Sequence, residues 1–352
     1  MAQRNAERVT HWYFSDGAQT WTAAGASDEA VAFHRSLPGY EPTPLVDVPD
    51  LAAKLGVGRV LVKDESARLG LPAFKILGAS WACQQVQART SGVHFVAATD
   101  GNHGRAVARM AAHFDVGATV FIPSVMLPET AHRIAGEGAT VVRIDGDYDE
   151  AVRRAAAFAE EQPNRALVQD TAWEGYTDIP ALIIDGYRTL LHEVDAELAA
   201  QGLAADLVAV PVGVGSLAEA VVRHYRQSHG PRPHVLSVEP DTAACVLASL
   251  QEQRPMTVPT ADTVMAGLNC GTISGSAWPV LRGGLDAAVA VTDHEALRAV
   301  DDLGRLGVSS GPCGAATLAG VRAVLADPQI GAALHLDSGA VVVLLSTEGN
   351  AR

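Results

Sequence analysis

A lysine in an apolar stretch at the end of an expected strand is the side chain best placed for covalent chemistry. Lys75 lies in LPAFKILGA, between the expected strand Arg59–Lys63 and a run with helical apolar spacing. Ala73, Phe74, Ile76 and Leu77 surround it, and desolvation favours the neutral amine that attacks aldehydes. That is the chemistry of a Schiff-base lysine. The plainer alternative is a lysine whose stem covers apolar surface while its head stays in water.

Two further segments follow expected strands. ATDGNHGRAVARMAA places Thr99, Asp100, Gly101, Asn102 and His103 at a strand-to-helix turn, where side chains and helix N-terminal N–H groups can meet an anion such as an amino-acid carboxylate. An ordinary capped turn with Asp100 as the cap is the alternative. PVGVGSLAEAVV offers Gly213 and Gly215 for close approach of backbone to ligand, with Val214, Ser216 and Leu217 completing a turn that can cradle a phosphate. It has neither the Lys-Ser/Thr of a nucleoside-triphosphate loop nor the GxGxxG spacing of a dinucleotide loop.

The elements that must position these turns are legible as alternation. Short apolar runs, RVLVKD, HFVAAT, ATVFIP, ATVVRI, ALVQD, LVAVPV, HVLSVEP, AAVAVT and AVVVLLST, alternate with longer Ala-rich segments of helical spacing. Most of the runs are apolar on both faces, as in parallel strands covered by helices. The expected class is α/β: two open, twisted, mostly parallel sheets flanked by helices, with a cleft between two lobes beyond the carboxyl ends of the strands. The compact block from Val93 to Glu161 and a second series starting at Ala166 divide the chain into a larger lobe, residues 1–77 with 166–352, and a smaller one, residues 78–165. QEQRPMTVPTAD reads as a surface loop.

The 352 residues are 48% hydrophobic and 19% charged, the composition of an ordinary soluble protein. A formal charge of −14 with no basic block argues against nucleic acid or anionic membrane as partner. No apolar run reaches membrane-spanning length and no leader pattern is read, so a cytoplasmic protein with a small-molecule substrate is expected. Cys83, Cys245, Cys270 and Cys313 are dispersed without CxxC spacing, which argues against a metal site or a disulfide framework and for reduced thiols.

The order lysine, anion turn, phosphate turn, together with the strings KDESARLGLPAFKILG, ATDGNHGRAVA, VQDTAWEGYTDIP, GVGS, VEPD, MAGLNCG and STEGN, resembles the fold type II pyridoxal-phosphate (PLP) enzymes. Within that tryptophan synthase β-like superfamily it is most similar to the diaminopropionate ammonia-lyases, over nearly the whole chain; TDGNHG and QDTAWEGY are not general to the superfamily. The resemblance implies that Lys75, beside Phe74, holds PLP as a Schiff base. It implies that Asn102 bonds the cofactor's 3′-oxygen and that Gly213 to Leu217 bind its phosphate. Asp100 and Asp170 would be the acids facing the substrate, Thr99 and His103 would lie with them, and Trp173 and Tyr176 would wall the site or else be core aromatics. Cys245 and Cys270, in matching segments, would approach each other near the cleft as free thiols. A homodimer is implied by the same analogy.

Two departures bear on the substrate. The chain reads Ser309-Ser310-Gly311-Pro312-Cys313-Gly314-Ala315 where the resembled enzymes read SGESGA, and Pro72 stands where they have Asn. Cys313 would then face the pyridine nitrogen, as in some serine dehydratases. A thiol there is a neutral, weak partner, and a shallow electron sink favours elimination over transamination. The implied activity is α,β-elimination of 2,3-diaminopropionate to pyruvate and ammonia through aminoacrylate. A serine or threonine dehydratase, a β-replacement synthase and a non-enzymatic PLP-binding protein are the alternatives.

Overall fold

The computed structural model describes residues 12–25, 27–99 and 101–350. Each of the nine apolar runs forms a strand in them, and two short strands add to these. The strands are β1 (Trp12–Phe14), β2 (Leu45–Asp47), β3 (Arg59–Asp64), β4 (His94–Ala98), β5 (Ala118–Ile122), β6 (Thr140–Arg143), β7 (Arg165–Leu167), β8 (Leu207–Pro211), β9 (His234–Pro240), β10 (Ala287–Val291) and β11 (Val341–Ser346). They form a seven-stranded sheet in the order β1-β10-β9-β8-β11-β3-β2 and a four-stranded sheet in the order β6-β5-β4-β7. Every ladder is parallel except the two edges, where β1 pairs with β10 and β2 with β3 antiparallel. β5, β8 and β11 are buried along their whole length, which explains their unbroken apolar sequences.

One boundary differs from the sequence reading. Ala166 and Leu167, expected to open the second series, lie in β7, which pairs with β4 from His94 to Val96. The smaller sheet therefore keeps this strand, because its apolar face completes the core of Val96, Ala98, Phe121, Ala151 and Ala155. Among the described residues no helix is long and apolar enough to cross a membrane.

Lys75 opens the helix Lys75–Arg89, and three devices fix it there. The loop before it is zipped to the segment after β11: Glu65 N–H donates to Ser346 O at 2.9 Å, Phe74 N–H to Thr347 O at 3.1 Å, and Gly349 N–H to Pro72 O at 2.9 Å. The same loop is anchored to the helix Asp178–Ala200 by a buried ion cluster. Arg68 binds Glu65 at 2.6 Å and Glu193 at 2.7 Å, and Lys63 binds Glu193 at 2.6 Å. Removing one member would strand a buried charge, at a cost of about 3–5 kcal/mol. Finally, Gly78 and Gly186 let the two helices touch; a Cβ on Gly78 would lie 2.5 Å from Tyr187 and 2.9 Å from the Ile183 carbonyl.

Beneath this crossing His34 is fully buried. It donates from Nε2 to Leu77 O at 2.9 Å, and its Nδ1 accepts from Thr189 Oγ1 at 2.7 Å. Burial lowers its pKa to about 4. The unfolded chain therefore binds more protons between that value and about 6.5. This contribution to stability is complete above the unfolded value and is lost as pH falls through the window, by up to about 3 kcal/mol. Denaturant titrations at pH 7 and pH 4.5 should show a larger loss in the parent than in His34→Gln; equal losses would contradict the assignment.

Candidate active site

A cavity of about 560 Å³ opens beyond the carboxyl ends of the parallel strands, where open α/β sheets place ligands. Residues following β4 (Thr99, Gly101 to His103), β8 (Val212 to Leu217) and β11 (Thr347 to Asn350) line it, with Phe74, Lys75, Asp170 and Cys313. The chain has three lysines. Lys54 is exposed on its helix, Lys63 is locked against Glu193, and Lys75 reaches into the cavity.

Lys75 is not the neutral amine that its apolar neighbours suggest. Its Nζ donates to Asp170 Oδ2 at 2.5 Å, with 25% of the lysine side chain and 8% of the aspartate exposed. Burial alone would lower the Lys75 pKa, but the Asp170 charge outweighs it and raises the value. Burial likewise opposes the Asp170 charge, and Lys75 nevertheless holds that carboxyl below its ordinary range. The pair is an ammonium and a carboxylate. Desolvation acts on both partners, and the nearby opposite charge decides the state of each.

Asp170 is itself held in place. Ser216 donates its hydroxyl to the Asp170 carbonyl at 2.5 Å, which ties the β7 turn to the glycine turn. Tyr176 accepts from Gln169 N–H at 2.9 Å and donates to Leu167 O at 2.9 Å. Trp173 and Tyr176 stack at 4.4 Å between ring centroids. Neither lines the cavity; they pack into the smaller sheet's core and brace the strand end that carries Asp170. Thr99 accepts from Gly101 N–H at 2.9 Å and Gly104 N–H at 3.0 Å, which satisfies donors at the start of the helix Asn102–His113. Asp100 lies outside the described residues. Asn102 donates to Glu348 at 3.0 Å.

The cavity suits a phosphate-bearing aldehyde on three grounds. It holds an amine. It also has a bare backbone turn at the start of the helix Ser216–Tyr225: Gly215 has φ +100°, and a Cβ on Gly213 would lie 3.0 Å from Cys270 Sγ and 3.1 Å from Gly267 O. The N–H groups of that first helical turn suit an anion. Lastly, buried His103 donates from Nε2 to Val168 O at 2.8 Å and leaves Nδ1 without a partner, an acceptor that a ligand can satisfy. Cys245 and Cys270 flank the glycine turn: Cys245 Sγ lies 3.7 Å from Gly213 O, and Cys270 lines the cavity. Cys83, Cys245 and Cys313 carry free thiols.

Glu348 and Tyr148 line the cavity and escape a reading by sequence. Glu348 had a signal, since it follows a strand as the glycine turn does.

A lysine at a helix start, facing a phosphate-type turn across two mostly parallel sheets, defines the site of a fold type II PLP enzyme. The chain belongs to the pyridoxal-phosphate-dependent enzyme family, whose model matches residues 37–348. It is 35% identical to the diaminopropionate ammonia-lyase of Escherichia coli K12 over 346 residues, covering 90% of this chain and 87% of that one. It is 33% identical to the Salmonella typhimurium diaminopropionate ammonia-lyase, covering 96% and 92%. The crystal structure of the Escherichia coli enzyme in complex with an aminoacrylate-PLP azomethine reaction intermediate superposes with a TM-score of 0.86 at 33% identity, covering 96% of this chain and 94% of that one.

Proposed function

We propose that this PLP-dependent enzyme is an ammonia-lyase that converts 2,3-diaminopropionate to pyruvate and two molecules of ammonia by α,β-elimination. The observation that carries the proposal is Asp170, a carboxylate in the cavity in contact with Lys75. When bound, the cofactor withdraws electrons from the substrate's Cα and makes its hydrogen acidic. Lys75 carries the cofactor and, once displaced by substrate, takes a proton at Cα. An amine can leave only when protonated. Asp170 keeps the β-nitrogen an ammonium, a service that the hydroxyl of serine does not need in the same form. Asn102 and the N–H groups of Gly213 to Leu217 hold the cofactor's oxygen and phosphate, with Cys313 at its ring nitrogen. Thr99, His103 and Asp100 belong to the substrate side.

A dehydratase acting on serine or threonine is the second reading, favoured by Cys313 and by Pro312, which stands where the resembled lyases have glutamate. Pyruvate formation from L- and D-2,3-diaminopropionate and L- and D-serine separates the two. Turnover of the diamine with two ammonia per pyruvate is expected. Turnover of serine alone would transfer the activity to the dehydratase reading.

The two-lobe division, with its second boundary moved past β7, belongs to the same proposal. So do residence in the cytoplasm, which the buried free thiols fit, and a homodimeric assembly, which rests on the resemblance.

A further inference from the structure

Tyr187 sits on the helix Asp178–Ala200 where it crosses the helix that Lys75 opens, and it is fully buried. Its ring has no room to shift. The Phe74 ring lies 4.7 Å away between centroids, a Cβ on Gly78 would stand 2.5 Å from Tyr187 Cε1, and one on Gly186 would stand 2.4 Å from Leu77 O. Cε1 is the ring carbon next to the one that bears the hydroxyl, so the hydroxyl end of the ring is pressed against the Lys75 helix, one turn from Lys75. That hydroxyl has no hydrogen-bond partner among the described residues. Tyr187 does not line the cavity, so its partner must come from the protein. Phenylalanine would fill the same space, and an unpaired buried hydroxyl only weakens the fold. The polar group beside it is the Lys75 amine, whose Nζ lies 5.9 Å from the centre of the Tyr187 ring and 5.3 Å from that of Phe74, on a flexible four-carbon stem. Burial pushes the pKa of the phenol up, and it stays O–H.

We propose that Tyr187 is a positioning residue for the Lys75 nitrogen: when the β-ammonium of the substrate takes the Asp170 carboxylate, Lys75 Nζ turns to Tyr187 and donates an N–H to its hydroxyl oxygen. The proposal rests on the reading of Asp170 as the group that meets the β-nitrogen. In the structure Asp170 Oδ2 is the acceptor of Lys75, and a substrate that brings an ammonium there competes for it. The groups near Lys75 that can carry a charge or a proton are Asp170 after β7, His103 in the first turn of the helix Asn102–His113, Cys270 beside the glycine turn, and Tyr187 itself. Amine and ammonium both offer N–H groups, and the hydrogen bond to the charged form is the stronger. Tyr187 therefore makes the freed Lys75 a better base at Cα and steadies the ammonium that results. The proton passes from Cα to the Nζ lone pair, and the C–H electron pair stays with the substrate, drawn toward the cofactor. Tyr187 itself neither gains nor loses a proton.

The test removes the hydroxyl alone, with Tyr187→Phe, both in the parent and together with Asp170→Ala, which withdraws the competing acceptor. The first readout needs neither cofactor nor substrate. Apoprotein labelled with ¹³C at the lysine Cε carries one signal each for Lys54, Lys63 and Lys75, and their pH titrations give the proton affinity of Lys75. In the Asp170→Ala background, Tyr187→Phe should lower that affinity about tenfold, the worth of one hydrogen bond to a charged group. With Asp170 present, the ion pair should keep Lys75 an ammonium across the range in which the protein stays folded, hydroxyl or not. No change in the Asp170→Ala background overturns the proposal. So does a Lys75 that titrates within that range once the hydroxyl alone is gone, since Tyr187 would then bear on Lys75 before Asp170 lets go. Urea titration should find Tyr187→Phe at least as stable as the parent, and a loss would make the hydroxyl a structural group and overturn the proposal. In the loaded enzyme, kcat on L-2,3-diaminopropionate should fall about tenfold with little change in KM, and deuterium at Cα should slow the variant more than the parent. An unchanged kcat and isotope effect overturn it. Turnover of serine alone would bring down the function proposed above, while the apoprotein titrations would still decide on Tyr187.

Discussion

Asp170→Asn is expected to leave the cofactor on the protein while slowing elimination of L-2,3-diaminopropionate by about 10²–10⁴-fold, the usual cost of losing a positioned acid or base. The two effects part because the Asp170 carboxylate plays two roles toward Lys75. It holds the Lys75 ammonium at 2.5 Å, and without its charge burial lowers the lysine pKa and yields more of the neutral amine that captures an aldehyde. Capture of the cofactor therefore survives. Proton handling does not: an amide cannot accept a proton from Lys75, nor keep the departing β-nitrogen an ammonium. Turnover per bound cofactor, read beside cofactor content, checks both halves. Unchanged turnover would remove Asp170 from the chemistry, and loss of cofactor at unchanged specific turnover would make it a structural anchor.

The second large effect concerns stereochemistry. Asp100→Asn should abolish activity on D-2,3-diaminopropionate while sparing a substantial part of the activity on the L-enantiomer. The freed Lys75 amine can take the Cα proton from one face, which the family resemblance assigns to the L-enantiomer. A D-substrate held by the same carboxylate and phosphate anchors points its Cα hydrogen the other way and needs another base. Asp100 stands in sequence between Thr99 and Gly101, both of which line the cavity. Losing a general base costs about 10²–10⁴-fold, applied here to one enantiomer. Initial rates of pyruvate formation on each enantiomer decide it, and equal losses on both would make Asp100 a positioning group.

What the sequence made legible follows from the distance over which each signal acts. Seven of the nine expected strands are largely buried, and their apolar runs carry that burial locally; β7, only three residues long, was legible because its apolar run continues into the buried Val168. β1 and β2 are three-residue antiparallel edges, half-exposed, and contain too few residues to show any period. The anion turn and the glycine turn were visible because each stands directly after a strand, and the lysine because it sits among apolar residues at the start of a helix. The charge state of Lys75 was not, since its partner lies 95 residues away and only the fold brings the two together. Glu348 is the same case: its contact with Asn102 spans 246 residues, and a single acid after the last strand names no partner. Trp173 and Tyr176, which the sequence left between wall and core, could not be placed by it for a different reason. Their motif marks the turn that carries Asp170, and the stacked rings serve that turn from behind.

The most direct measurement is borohydride reduction of the loaded protein followed by peptide mapping. Three lysines are available, and they occupy distinct environments: Lys54 on an exposed helix, Lys63 in a buried ion cluster and Lys75 in the cavity. The pyridoxyl group should be found on the peptide containing Lys75 and on neither of the others. Recovery on Lys54 or Lys63, with Lys75 unmodified, would contradict the assignment of the site and of the chemistry built on it.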